Sequence, residues 1–394
     1  MDGDIVKKSL LIVAHHLTIG GVQKSLISAL KALDYENYDV TLYLRKNRTD
    51  LLPFVDKRVN VVINKDSHRY YRKPYSVYLQ VISGIFKIFG KKENSKVTEE
   101  KLSDYIRKSQ MKYEKDSYFK NKNFDIAVAY VQGYTAEFVA DFIEAREKII
   151  FYHTSTDDLH GLHLRILPKF NKFVALHKEQ AELAESWYPE IKGKIRIVEN
   201  YTDKSLLEEQ SNEFKVEMPK DKIVLCSCGR FAKVKGFDLA VKTAKLLKNT
   251  GIIFLWYFVG DGPERENIEK LVKEYNLQNN IIITGMQKNP YPYMAGCDIY
   301  IQPSYEEALG LTILEAHRLK KPVITTATVG GKKLVQTGEN GIVCDISPEA
   351  VAESIEELIK NNLRYKKIIT NLETADYFGE FENYKNQWKQ LLEE

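Results

Sequence analysis

The stretch Ile223-Val224-Leu225-Cys226-Ser227-Cys228, followed by the turn Gly229 to Gly236, the segment Phe237–Asn249 and then Phe254-Leu255-Trp256-Tyr257-Phe258-Val259, decides the fold class. Its outer pieces are short apolar runs without a polar stripe, as strands buried on both faces of a parallel sheet must be. The piece between them is amphipathic at helical spacing, so the whole reads as strand, crossover helix, parallel strand. An α/β protein follows.

The same alternation extends in both directions. Downstream, Ile281–Thr284, Ile299–Gln302, Val323–Thr326 and Gly341–Val343 read as further strands, with Pro263–Tyr275 among the helical segments. Upstream, Leu10–Ala14, Tyr38–Leu44, Val59–Ile63, Ile126–Tyr130, Lys148–Tyr152, Lys172–Leu176 and Lys194–Val198 form another series. The polar stretch from Tyr201 to Lys222, with Ser211-Asn212 and Pro219, separates the two and predicts an interdomain linker. The expected organisation is an N-terminal Rossmann-like domain over 1–199, a linker over 200–222, a C-terminal Rossmann-like domain over 223–375 and a final segment 376–394.

Composition narrows the function classes. The 394 residues carry 58 Lys+Arg against 54 Asp+Glu, and a formal charge of +4 makes no general case for a nucleic-acid partner. Four Cys, with only Cys226 and Cys228 close together, form neither a disulfide framework nor a zinc ligand set, which fits a reducing cytoplasm. No apolar run approaches the ~18 residues of a membrane-spanning helix. Lys7-Lys8 and the run Ser9 to Ala14 meet His15-His16 too soon for a secretory signal, so they read as a buried first strand. Charge is uneven along the chain, because 65–122 holds 15 Lys+Arg and 7 Asp+Glu and behaves as a basic insertion. Within it, 75–92 joins an apolar, aromatic helix pattern to Lys91-Lys92. That composition suits either a helix packed on its own domain or peripheral contact with a membrane.

Residues that carry chemistry gather just after the strands. Gly20-Gly21 follows the first strand and opens a helix, where a bare backbone and free N–H groups favour an anionic ligand, although a plain tight turn needs the same pair. The spacing is not the dinucleotide fingerprint. Arg230 and Lys235 stand in the turn after Ile223–Cys228, at the carboxyl edge where open α/β sheets bind ligands. Two fixed cations there suit a diphosphate, Arg230 by forked hydrogen bonds and Lys235 as a point charge. Gly260-Asp261-Gly262-Pro263 is a glycine-rich turn after the next strand. Ser304 to Ala316 puts Glu307 and Glu315 on either side of a helix entrance, with the Gly310 and Leu311 amides between them. Eight helical steps would separate the two carboxylates by ~12 Å. A nucleotide sugar has the matching layout of hydroxyls, diphosphate and hydroxyls. Singly, Glu307 reads equally as a solvated helix-start residue and Glu315 as a core-edge residue.

Together these motifs resemble the retaining glycosyltransferases of family 4, which have the GT-B fold. The resemblance runs from Gly20-Gly21 through Phe151-Tyr152-His153 and Ile197-Val198-Glu199-Asn200 to Arg230 and Lys235, Gly260-Asp261-Gly262-Pro263 and the pair Glu307 and Glu315. It implies two Rossmann-like domains facing each other across a cleft, the N-terminal one on the acceptor side and the C-terminal one binding the nucleotide sugar, with Tyr377–Leu392 crossing back to the first domain. It also implies that Arg230 and Lys235 hold the donor diphosphate, Glu315 holds the donor ribose, Glu307 lies against the transferred sugar and His153 contacts that sugar. Gly20, Gly21, Gly260, Gly262, Gly310 and Leu311 complete the implied donor-binding set. Ala308-Leu309, where Gly-Phe is common, and Gly330-Gly331-Lys332-Lys333-Leu334, without the usual acidic residue, depart from the pattern and bear on which donor is used.

The implied reaction moves a hexose from a nucleotide-diphosphate sugar, taken as a UDP-sugar, to a glycan or polyprenyl-linked acceptor. It belongs to surface polysaccharide or glycoconjugate synthesis, in the cytoplasm at the membrane face. No cofactor and no metal are expected. The one Asp-x-Asp is Asp2-Gly3-Asp4 at the terminus, and His160-Gly161-Leu162-His163 has no third ligand nearby. The carboxylate pair of a retaining hydrolase is not recognisable, so front-face substitution is the implied route. Two other readings stay open, a non-catalytic GT-B-fold partner of a transferase complex and a nucleotide-sugar epimerase. The presence of Arg230, Lys235, Glu307 and Glu315 together weighs against the first, and the lack of recognisable acid/base equipment against the second.

Overall fold

The computed structural model describes residues 6–18, 20–65, 94–153, 164–307, 310–375 and 377–394. The segment 75–92, the pair His160 and His163 and the Asp2-Gly3-Asp4 triplet lie outside the described residues.

Two wholly parallel sheets organise the chain. The first contains β1 (Lys8–Ala14), β2 (Tyr38–Leu44), β3 (Asn60–Ile63), β4 (Asn123–Ala129), β5 (Glu144–Phe151), β6 (Lys172–Ala175) and β7 (Ile195–Ile197), in the order β3-β2-β1-β4-β5-β6-β7. The second contains β8 (Ile223–Cys228), β9 (Phe254–Val259), β10 (Ile281–Gly285), β11 (Ile299–Gln302), β12 (Val323–Thr326) and β13 (Gly341–Cys344), in the order β10-β9-β8-β11-β12-β13. In each, the first strand sits mid-sheet and the chain winds outward first one way, then the other. The reversal leaves a crevice at the carboxyl ends of β1 and β4, and another at those of β8 and β11.

Strand β9 shows why the apolar runs fold this way. All six of its residues are buried. Phe254, Trp256 and Phe258 enter one apolar layer with Leu239, Val241 and Ile355, whereas Leu255, Tyr257 and Val259 enter the opposite layer with Tyr291, Met294 and Ile313. Alternation of side chains about the pleat feeds both layers, so no polar stripe is tolerated. In the first sheet β4 and β5 begin earlier than their apolar runs, since the ladder continues through Asn123↔Glu144 and Phe124↔Ala145.

The chain divides into two compact units, one comprising 1–201 with 382–394 and the other 202–381. The stretch expected as a linker contains the helix Lys204–Ser211, capped by Asp203, whose carboxylate accepts from Leu206 N at 2.8 Å. Leu206 and Leu207 are buried, and this helix belongs to the second unit. The last residues of the helix Tyr377–Glu393 belong to the first, where Trp388 stacks on Phe151 with ring centroids 5.2 Å apart and Tyr384 stacks on Tyr201 at 5.2 Å. Lys172 Nζ donates to Leu391 O at 2.7 Å. Of the basic segment 65–122, residues Asn94–Tyr118 form a helix. No helix among the described residues is long and apolar enough to cross a membrane.

Candidate functional site

The crevice of the second unit collects most of the predicted residues. Strands β8 and β11 pair through Ile299↔Leu225 and Tyr300↔Cys226, so the turn after β8, with Arg230 and Lys235, lies beside the loop after β11, with Glu307. Tyr305 N and Glu306 N both donate to Val234 O, at 2.8 and 3.2 Å. Gly236 permits this approach. Its φ is +65°, and a Cβ there would stand 1.9 Å from Pro303 O. Gly260 does the same between the turns after β8 and β9, because at φ +154° its Cβ would stand 1.9 Å from Gly229 O. Gly262 lies in the same turn, against Phe231.

Within this frame Lys235 Nζ donates to Glu307 Oε2 at 2.7 Å. The same oxygen accepts from Gln302 Nε2 at 3.2 Å, and Oε1 accepts from Gly310 N at 3.3 Å. Glu307 O in turn accepts from Gly330 N at 2.7 Å. Arg230 is exposed, and its guanidinium makes no hydrogen bond or ion pair among the described residues. The crevice thus presents one engaged cation, one open cation and a carboxylate fixed at several points.

The helix that follows corrects the expected spacing of the two carboxylates. It spans Leu311–Arg318, behind Gly310 at φ +64°. Glu307 lies in the loop ahead of it, so four helical steps, or about 6 Å of rise, separate Leu311 from Glu315, and the ~12 Å helical span does not exist. Glu315 is 3% exposed and accepts from Tyr291 OH at 2.9 Å. Burial and then the adjacent Glu315 carboxylate push the Tyr291 phenol well up, so it serves as a donor.

Sequence reasoning missed Gln302. Its Oε1 accepts from Thr312 Oγ1 at 2.9 Å, and its Nε2 donates to Ser304 Oγ at 2.8 Å as well as to Glu307. It therefore ties the Glu307 loop to the first turn of the next helix. The available signal was an amide at the carboxyl end of an otherwise apolar strand.

Gly20, Gly21 and His153 lie in the first unit. Gly20 caps the helix Gly21–Ala32, and its φ of −176° is extended backbone open to any residue. The ring nitrogens of His153 are shielded from water and make no hydrogen bond among the described residues. Burial holds this imidazole down at about 4, opposed by the Tyr130 backbone, so it is neutral near pH 7. Among the described residues no group of three or more His, Cys, Asp or Glu is placed to hold a metal ion.

Residues 208–374, which lie within the second unit, match the family described as glycosyl transferases group 1. Among curated proteins, the lipopolysaccharide core biosynthesis glycosyltransferase LpsE of Rhizobium meliloti (strain 1021) is 31% identical over 172 residues, which cover 43% of this chain and 49% of that protein. The match spans about half the length of this relative, and less of two further ones, LpsD of the same organism and glycosyltransferase MJ1059 of Methanocaldococcus jannaschii. A variant of S. aureus TarM in complex with fondaparinux, alpha-GlcNAc-glycerol and UDP superposes with a TM-score of 0.67 at 13% identity, over 98% of this chain and 100% of that one. Anabaena HepE in complex with UDP-glucose superposes with a TM-score of 0.66 at 15% identity, over 98% and 99% of the two chains. The pair of parallel-sheet α/β units is that of the GT-B fold.

Proposed function

We propose that this chain is a retaining, metal-independent hexosyltransferase that moves a sugar from a UDP-sugar to a glycan or polyprenyl-linked acceptor, at the cytoplasmic face of a membrane where surface polysaccharide is made. The observation that carries the reading is Lys235 Nζ at 2.7 Å from the Glu307 carboxylate, beside the exposed Arg230, at the crevice between β8 and β11. Support comes from a lipopolysaccharide-core relative and from neighbours whose structures hold UDP or UDP-glucose.

In this reading the bond between the anomeric carbon and the β-phosphate oxygen breaks, and its electron pair leaves with the diphosphate. Arg230 and Lys235 neutralise that charge, with the Leu311 amide at a helix start adding to it. The acceptor oxygen bonds to the anomeric carbon from the face the diphosphate leaves, and its proton passes to the departing phosphate oxygen. Glu307 holds the sugar and balances the positive charge that develops on it. Most of the acceleration is electrostatic preorganisation. Glu315, oriented by Tyr291, accepts from the ribose hydroxyls, and a neutral His153 suits a hydrogen bond to a sugar hydroxyl.

A thermal-shift and hydrolysis screen against UDP-, GDP-, ADP- and dTDP-sugars, with and without EDTA, tests the proposal. A UDP-sugar is expected to stabilise the protein and to be slowly hydrolysed, with no effect of EDTA and loss of both responses in Arg230→Ala. Folded protein that responds to no nucleotide sugar overturns the reading and favours a non-catalytic partner of a transferase complex.

A further inference from the structure

A second charged site lies in the first unit, at the carboxyl edge of β1 and β2. The loops that leave these strands are joined by backbone hydrogen bonds, Arg45 N to Ala14 O at 3.0 Å, Lys46 N to His15 O at 2.8 Å and Leu17 N to Arg48 O at 2.8 Å. That pairing sets His15 and His16 beside Lys46 and Arg48. The two imidazoles meet edge to face with centroids 5.3 Å apart, and His16 Nδ1 lies 2.9 Å from Thr18 Oγ1. Arg45 is answered, since Glu114 holds it through two 2.9 Å hydrogen bonds and Tyr134 O accepts from it at 2.8 Å. Arg48 is exposed and makes no ion pair among the described residues. Among the described residues, Asp50 is the acidic group that faces His16.

Among the described residues, most of the charges that face these two imidazoles are positive. Burial and then Lys46, Arg45, His16 and Arg48 hold His15 down at about 4. His16 is lowered by burial, Arg48 and Lys46, against Asp50. Burial first and these cations second deny the two imidazoles their protons, and the positive charge gathered here is what an oxyanion would relieve. Such a group would accept from a guanidinium, an ammonium and imidazole N–H donors together. The helix Gly21–Ala32 opens on the same edge with no acidic residue in its first turn and no side-chain cap, so its positive end adds to the field.

We infer that His15, His16, Lys46 and Arg48, at the carboxyl edge of β1 and β2, bind a phosphate group carried by the acceptor. This rests on the transferase reading, in which the first unit serves the acceptor. The phosphate is either that of a water-soluble ester or the head of a lipid-linked acceptor, and both present the same oxygens.

The test is calorimetric titration of the full chain with glycerol 3-phosphate, with and without saturating UDP, and with glycerol as the neutral control. The ester is expected to bind in both conditions and glycerol in neither. Arg48→Gln and Lys46→Gln should each weaken ester binding about tenfold, the range of a charge-assisted hydrogen bond, while melting and UDP affinity stay unchanged. Co-sedimentation with phosphatidylcholine vesicles doped with a polyprenyl phosphate, against undoped vesicles, separates the sources. Loss of that binding in Arg48→Gln assigns the phosphate to a lipid, whereas ester binding without vesicle binding assigns it to a soluble acceptor. Ester affinity equal in wild type and both variants, or abolished by UDP, overturns the inference. Failure of UDP to bind while the ester still does would instead count against the transferase reading alone.

Discussion

Replacing Glu307 with Gln separates the charge of this carboxylate from its hydrogen bonds. Oε2 accepts from Lys235 Nζ at 2.7 Å and from Gln302 Nε2 at 3.2 Å, and Oε1 from Gly310 N at 3.3 Å. The amide satisfies the first two partners with its oxygen, so its NH2 faces the Gly310 N–H and one long hydrogen bond is lost. That costs about 1 kcal/mol of stability or less. Lys235 keeps an acceptor and loses its counter-charge. With Lys235 30% and Glu307 11% exposed, a partly solvated pair of this kind is worth about 0.5–1 kcal/mol. Releasing it makes Lys235 that much more available to phosphate, so UDP should bind Glu307→Gln about 2–5-fold more tightly, and less so as salt rises. Sugar transfer should fall about 100-fold, because the charge opposite the developing cation is gone. Calorimetry with UDP and rates of UDP-sugar hydrolysis read the two effects separately. Weaker UDP binding by the folded variant would show that Glu307 positions Lys235 rather than competing for it, and the electrostatic argument would be wrong.

Gly236→Ala combines a left-handed φ of +65° with a Cβ placed 1.9 Å from Pro303 O, so denaturant unfolding should show a loss above about 2 kcal/mol and weakened UDP binding. A variant as stable as wild type would mean that the two loops are free to part. His153 and His317 are each held at about 4 by burial, below their ordinary 6.5. The unfolded chain therefore takes up these protons first, and the contribution of each, about 3 kcal/mol, is fully present above pH 6.5 and lost as pH falls to about 4. His317→Gln should flatten the stability of the second unit over that window, and an unchanged slope would count against the assignment. Tyr291→Phe removes the 2.9 Å hydrogen bond to Glu315 and should weaken UDP binding about tenfold, with a smaller change in melting, as calorimetry and thermal scans can compare.

How much could be read from the sequence depended on how much of each element the side chains dictate. The bounds of β8 and β9 were legible because burial on both faces excludes polar residues from end to end. Those of β4 and β5 were not, since a backbone ladder continues wherever strands run alongside, and Asn123 and Glu144 pair without entering the core. Polar composition hid the helix Lys204–Ser211, although Asp203 ahead of Leu206-Leu207 was a cap before an apolar pair. Arg230, Lys235 and Glu307 were legible as residue types after strands. Their meeting was not, because it depends on β8 and β11 being neighbours in the sheet, a matter of strand order rather than of local pattern. The spacing of Glu307 and Glu315 was misjudged because a left-handed Gly310 starts the helix late.

The first unit has a peculiarity of timing. Its sheet and most of its core come from residues 1–201, yet the buried side chains Tyr384, Trp388, Leu391 and Leu392 are made only after the second unit. The second unit is continuous over 202–381 and can close its own core first. Domains made first usually finish first. Here the order is reversed, and the aromatic face of Phe151, which Trp388 will cover, stays open on the nascent chain until the second unit has been made. During that interval the half-made protein offers chaperones, and aggregation, a surface that the finished molecule does not have.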